Sequence, residues 1–331
     1  MKIKDIAEAA GVSTATVSRV LSGKPNVRQE VREKVLQVVA RTNYKPDGAA
    51  RRLRSGKSTY IGLIVADIQS PYFASVARAV EDVAQKNNYN VILCNTDENH
   101  DKERNYLEMM QSENAAGVIL APTLRLSENF ELTRYYSSPM VVIDRQVQGL
   151  SVDMVLIDNR QASLELTRHM LAHGYKRIAA LFGNSSATGA QRRAGFEDGM
   201  REAGISENDY IVRSLPAKEQ DAHETVKALL ELPSPPEAVI TSNGLLGAGA
   251  FRAIRDKELP IPESVAFASF DESVWTAMTR PAITVVEQPT YAIGQTACEM
   301  LLKRIEDPQR PTRKVVLESK LVIRQSCGGK A

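Results

Sequence analysis

The chain is poor in the residues that staple or anchor a protein. Its 331 residues include three cysteines, Cys94, Cys298 and Cys327, odd in number, widely spaced and in no C-x-x-C pair. That pattern excludes a disulfide framework. It fits a reducing cytosol, with the thiols as inert core or tail residues. No apolar stretch is long enough to cross a bilayer, and the first residues lack the apolar segment of a signal peptide. A cytoplasmic protein with no membrane partner is expected. Histidines are also few. His169 and His173 stand four apart on a predicted helix, but no Glu lies between them and no third ligand is evident. There is no G-x-S-x-G elbow, no Walker loop and no G-x-G-x-x-G in a strand-turn-helix context. Gly244 to Gly249 is glycine-rich but opens a helix without a phosphate-loop lysine. Neither catalysis, nor a metal, nor a cofactor is expected.

What the chain does have is a lopsided charge. Residues 1–57 carry thirteen Lys and Arg against five Asp and Glu, a surplus of eight, whereas the remaining 274 residues are net −6. A basic head on a mildly acidic body is the electrostatic footprint of a nucleic-acid contact. The head itself reads as three short helices. Ile6, Ala7, Ala9 and Ala10 give the first an apolar face, and Gly11 ends it. Ser13 is placed to cap a helix from Thr14 to Leu21, with Val17, Val20 and Leu21 on one face and Thr14, Ala15, Ser18 and Arg19 on the other. Gly23 and Pro25 break it. A third helix, roughly Arg28 to Arg41, has Val31, Val35, Leu36, Val38 and Val39 as its buried stripe. Two helices joined by a tight glycine turn and packed on a third form a helix-turn-helix, whose second helix suits the DNA major groove. A small bundle that only packs on something is the alternative, and the charge opposes it.

Pro46 closes the head. Asp47 can cap a two-turn helix over residues 48–54, which is too short to be stable alone. From Tyr60 the pattern becomes alternating strand and helix. Apolar runs such as Tyr60–Val65, Gly117–Leu120, Met140–Ile143, Arg177–Phe182 and Val265–Phe270 alternate with amphipathic segments. Such repetition predicts an α/β body of parallel, doubly wound sheets, and the count divides naturally in two near residues 158–161. In open α/β sheets ligands sit beyond the carboxyl ends of the strands. The residues just after strands are therefore the cleft candidates: Asp67, Tyr72 and Phe73; Asp144 and Arg145; Ser186, Thr188 and Arg192; Asn243, Asp271 and Gln288. Polar groups with aromatics among them suit a small polyol or a nucleobase. Arg145 and Arg192 point towards an acidic or phosphorylated sugar. For any one of these residues a turn or helix-cap role is the competing reading.

IKDIAEAAGVSTATVSRVLSGKPNVRQEVREKV resembles the N-terminal signature of the LacI/GalR family of bacterial transcription regulators, and NYKPDGAARRLRSGKS (residues 43–58) resembles its hinge helix and linker. The resemblance implies a helix-turn-helix domain over 1–46, a hinge over 47–58, and a periplasmic-binding-protein-like effector and dimerisation domain over 59–331. Within that last domain, lobe one is expected at about 59–158 plus 289–320 and lobe two at about 159–288. It implies a homodimer reading a pseudo-palindromic operator in double-stranded DNA, released by a sugar, sugar acid or sugar phosphate. Thr14, Ala15 and Arg19 match the family's base-reading positions; Ser13, Thr16, Ser18, Asn26 and Arg32 suit phosphate. Leu53 matches a minor-groove wedge, and Ala50 allows close pairing of two hinge helices. Tyr72, Phe73, Asp144, Ser186, Thr188, Arg192, Asn243, Asp271 and Gln288 match the family's effector contacts. The segment RQVQGLSVDMVLIDN resembles regulators of sugar-acid catabolism. Two departures, Gly244 after Asn243 and Pro216 where some members have an aromatic, bear on which effector fits. A corepressor-dependent repressor, for example purine-responsive, and a sugar-binding transport component are the alternatives. The basic head opposes the second.

Overall fold

A computed structural model describes residues 2–21, 23, 25–42, 44, 58–123, 136–147 and 149–328. The expected hinge helix, with Ala50 and Leu53, lies outside these residues. The chain divides into two compact units, Met1–Ser58 and Thr59–Ala331.

The first unit contains α1 (Ile3–Ala10), α2 (Thr14–Leu21) and α3 (Gln29–Thr42) around a small core of Ile6, Ala7, Ala10, Val17, Val20, Val35 and Val38. Gly11 ends α1 at φ 65°, a left-handed position that glycine takes without the steric cost of a Cβ. The Asp5 carboxylate accepts the Lys2 amide at 2.7 Å, satisfying a donor that α1 leaves free. Two expected core residues are corrected: Ala9 is exposed and Leu36 is 47% exposed. Each sits on the edge of its apolar stripe, and a three-helix core this small is closed by one valine or alanine per turn.

The second unit is built from β1 (Tyr60–Val65), α4 (Pro71–Lys86), β2 (Asn90–Asn95), α5 (His100–Ser112), β3 (Gly117–Leu120), β4 (Met140–Ile143), β5 (Asp153–Ile157), α6 (Asn159–Ala172), β6 (Ile178–Gly183), α7 (Ala187–Glu202) and β7 (Ile211–Leu215), followed by α8 (Glu219–Leu229), β8 (Ala238–Thr241), α9 (Gly244–Asp256), β9 (Ala266–Phe270), α10 (Val274–Met278), β10 (Thr284–Glu287), α11 (Thr290–Glu306), β11 (Lys314–Leu317) and β12 (Lys320–Val322). Two sheets result, ordered β11-β5-β4-β3-β1-β2 and β12-β10-β9-β8-β6-β7. Every pairing is parallel except β10 with β12. Both faces of each sheet are covered, which explains the unbroken apolar runs. Along β1, for example, Ile61, Leu63 and Val65 enter one core and Ile64 the other.

The chain passes between lobes at residue 158, at 288–289 and at 318–319. After the last passage Lys320 pairs with Glu287, so the second lobe takes in the tail as well, and Lys320 stands there and not in lobe one. Two short elements escape sequence patterning: α10, and a 3-10 turn at Gln325–Cys327. α5 begins at His100 because the Asn99 side chain accepts the amides of Asp101 and Lys102 at 2.9 and 3.0 Å.

Candidate functional site

In the first unit, α2 is capped by Ser13, whose hydroxyl accepts the Thr16 amide at 3.2 Å. Val17 and Val20 face inward, which leaves Thr14, Ala15 and Arg19 exposed together on the opposite side, with Thr16 and Ser18 half-buried at its margins. Asn26 is exposed in the turn after α2, and Arg32 is half-buried on α3. The unit thus presents the N-terminal half of a short helix, as a groove-reading element must.

In the second unit, both sheets carry the β2-β1-β3-β4-β5 style of order, so the chain reverses direction between β1 and β3, and again between β6 and β8. A cavity of about 340 Å3 opens where the carboxyl ends of the two sheets face each other. All eleven cleft candidates line it: Asp67, Tyr72, Phe73, Asp144, Arg145, Ser186, Thr188, Arg192, Asn243, Asp271 and Gln288.

The chemistry within it is largely internal pairing. Arg145, 4% exposed, donates through Nε to Asp144 at 3.1 Å, through Nη1 to Glu98 and to the Pro122 carbonyl, both at 2.7 Å, and through Nη2 to Glu98 again. The guanidinium is thereby held by two carboxylates, whose charge raises its pKa against the opposing effect of burial. Arg192 donates to the Asn159 side chain at 2.7 Å and to the Ser242 carbonyl, and its guanidinium lies 4.2 Å above the Phe270 ring. Burial pushes the Asp144 carboxyl above its ordinary value, while Arg145 and Arg192 pull it down. Asp271 accepts the Gln288 amide at 2.6 Å and the Gly244 N–H at 3.0 Å. Ser186 and Asn243 cap α7 and α9, accepting the Gly189 and Leu246 amides at 3.2 and 2.9 Å. Ser186 also bonds Thr188 at 2.9 Å. Several candidates therefore hold the backbone as well as face the cavity.

One group is conspicuously unspent. The Tyr72 hydroxyl is buried among Asp144, Arg192, Asp271 and Arg145 and has no hydrogen-bond partner among the described residues. Burial pushes its pKa well up, so it is a neutral donor and acceptor. Tyr72 meets Phe73 edge to face at 4.9 Å. Four residues around the cavity, Asp97, Glu98, Asp144 and Asp271, hold φ between 52° and 73°. Left-handed backbone at non-glycine residues is strained, and its concentration here marks a built site.

Sequence reasoning passed over Asp97, Glu98, Lys218, Phe270 and Asn159. The first two follow β2, where the strand-end rule places cleft residues as it does after β1. Lys218, by contrast, sits three residues past β7, in a segment with no apolar signal. Counting the cavity's charged side chains, Asp67, Asp97, Glu98, Asp144 and Asp271 stand against Arg145, Arg192 and Lys218. Of the two arginines that suggested an acidic sugar, Arg145 is held by carboxylates, whereas Arg192 is bonded to the uncharged Asn159 side chain and Ser242 carbonyl, in a cavity whose lining is net acidic. Among the described residues no cluster of His, Cys, Asp or Glu could hold a metal ion, and no helix is long and apolar enough to cross a membrane.

A groove-reading helical unit joined to a two-lobed binding cleft defines a ligand-responsive DNA-binding regulator. The family description "Bacterial regulatory proteins, lacI family" matches residues 2–47, and "Periplasmic binding proteins and sugar binding domain of LacI family" matches residues 58–325. The chain belongs to the LacI family of transcriptional regulators. It is 36% identical to a ribose operon repressor of Halalkalibacterium halodurans over 99% of this chain and 97% of that one. A LacI-family regulator from Enterococcus faecium, solved with bound ribose, superposes with TM-score 0.74 at 25% identity, covering 81% of this chain and 98% of that one. The lac repressor dimer bound to operator shares the fold, with TM-score 0.87 at 21% identity over 99% of both chains.

Proposed function

We propose that the protein is a cytoplasmic, homodimeric repressor of sugar catabolism genes that leaves its pseudo-palindromic operator when its cleft binds a neutral monosaccharide. The observation that carries this reading is the charge accounting of the cavity. Arg145 is held by carboxylates, Arg192 is bonded through Nε and Nη1 to uncharged groups, carboxylates are in surplus, and a buried Tyr72 hydroxyl waits for a partner. Carboxylates accept from paired hydroxyls, the chemistry of a pentose or hexose, and repel a sugar acid. The volume, about 340 Å3, is at the small end for a ligand site. The ribose operon repressor and the ribose-bound regulator support the same class of ligand. In this reading Asp144, Asp271, Arg192, Asn243 and Tyr72 contact the sugar, and Thr14, Ala15 and Arg19 contact bases. Arg145, held through four of its five N–H donors by Glu98, Asp144 and the Pro122 carbonyl, orients Asp144 instead of touching the ligand. The site binds and does not catalyse.

The test is fluorescence anisotropy of the purified protein on its own upstream DNA, at fixed salt, against neutral sugars, sugar acids and purines. Release by a neutral pentose or hexose is the expected result. Release by a sugar acid alone overturns the neutral-ligand assignment, and tightening by a purine overturns induction.

A further inference from the structure

Among the described residues one ion pair joins the two lobes. Lys218 Nζ, in the segment after β7 of lobe two, lies 3.4 Å from Asp67 Oδ2, just after β1 of lobe one. The other ion pairs described in the lobes stay within one lobe. Both partners line the cavity, and they sit at its outer end. The Lys218 side chain is 56% exposed and that of Asp67 17%, whereas Arg145 and Arg192 at the inner end are each 4% exposed.

The pair is held in place from both sides. Asp67 Oδ1 accepts the Gln69 amide at 2.9 Å, which fixes the carboxylate and turns Oδ2 outward. The Lys218 amide donates to the Pro216 carbonyl at 2.8 Å, a tight turn that brings the side chain over the opening. A second rim carboxylate, Asp97, feels the same ammonium, but it is bonded by Lys102 and Asn95 on its own lobe. Lobe one therefore presents an acidic lip, and Lys218 of lobe two faces it.

We propose that Lys218 and Asp67 form a specificity-determining latch across the cleft mouth, which retains an unsubstituted monosaccharide and excludes one extended towards solvent. This rests on the sugar-binding reading of the same cavity. A free sugar fits beneath the closed pair, whereas a substituent pointing outward must displace it. An exposed ion pair contributes little by itself, so the latch trades a modest gain in retention for discrimination by size.

The experiment uses the full chain and two readouts. The first is a sugar-free double-mutant cycle by thermal unfolding with Lys218→Asp, Asp67→Lys and the swapped double variant. The second is calorimetric binding of D-ribose, methyl β-D-ribofuranoside and 5-O-methyl-D-ribose to wild type, Lys218→Ala and Lys218→Arg. The swap is expected to recover stability that the single reversals lose. Lys218→Ala is expected to weaken D-ribose binding about two- to fivefold and to narrow its margin over the worse-tolerated methyl derivative, while Lys218→Arg keeps both properties. Additive single reversals, or an unchanged margin in Lys218→Ala, overturn the latch. A coupled cycle with no sugar binding to any variant leaves the bond between lobes standing and overturns the sugar reading instead.

Discussion

Glu103 on α5 shows how far a single side chain can depart from what its neighbours in sequence suggest. It is fully buried, and its carboxylate accepts the Thr123 amide at 2.7 Å and the Thr123 hydroxyl at 2.9 Å. Burial raises its pKa from 4.5 to about 7, with the Thr123 bonds and Arg145 opposing the rise. The folded state thus holds a proton that the unfolded state releases, so this group's contribution to stability declines as pH climbs from about 4.5 through 7. Glu103→Gln removes the titration. Its stability relative to wild type is expected to rise by on the order of 2–3 kcal/mol between pH 5 and pH 8, measured by urea unfolding at the two pH values. A constant difference contradicts the assignment. In the other unit, Arg19→Ala is expected to weaken operator binding by roughly 1–3 kcal/mol and to relax preference at one base per half-site. Equal losses on all DNA sequences show a phosphate contact instead. Helical spacing already places Arg19 on the outward face of α2. Nothing local to Arg145 announces that Glu98 will occupy its guanidinium.

At the level of elements, the site depends on how closely α7 approaches β6. A Cβ built on Gly189 comes within 1.9 Å of the Gly183 carbonyl oxygen, so any side chain there forces backbone apart. Gly189→Ala is expected to cost about 1–3 kcal/mol of stability and to weaken sugar binding as well, because the start of α7 positions Ser186, Thr188 and Arg192. Thermal unfolding and calorimetry on one sample test both halves. Retained affinity in a destabilised variant shows that the cleft tolerates movement of α7. Strands such as β1 and β6 are legible as unbroken apolar runs because parallel sheets are covered on both faces. The five-residue α10 is not, since it buries Thr276 among its own residues and leaves Val274 and Met278 exposed. Periodicity needs more than one turn to register.

Across the whole molecule, the two activities are built on opposite electrostatics. The head carries eight surplus positive charges, and DNA binding through it releases counter-ions. Operator affinity is expected to fall steeply with salt, by about 10³–10⁵ between 50 and 200 mM if 6–10 phosphates are contacted. Sugar affinity is expected to change little if the ligand is neutral, as proposed, because a neutral ligand releases no counter-ions on binding. Parallel titrations of DNA and sugar at three ionic strengths check this. A sugar affinity as salt-sensitive as operator affinity points to a charged effector.

The amino-acid order alone determined the three-helix head with its exposed α2 face, the alternation that makes two parallel sheets, and the eleven strand-end positions that come to line one cavity. Each follows from local periodicity and from the rule that strand ends face a shared cleft. Tertiary structure alone decided which of those side chains remain available to a ligand. Glu98 reaches Arg145 across 47 residues within lobe one, where the order of β2 and β4 in the sheet brings their ends together, and Lys218 reaches Asp67 across 151, where the crossovers bring the two lobes together. The exposure of Ala9 and Leu36 was settled in the same way, because a small core is filled by whichever apolar residues point most directly at its centre. Charge on a sequence is a property of the residue. Charge in a cleft is a property of its partners, and those are chosen only when the chain has folded.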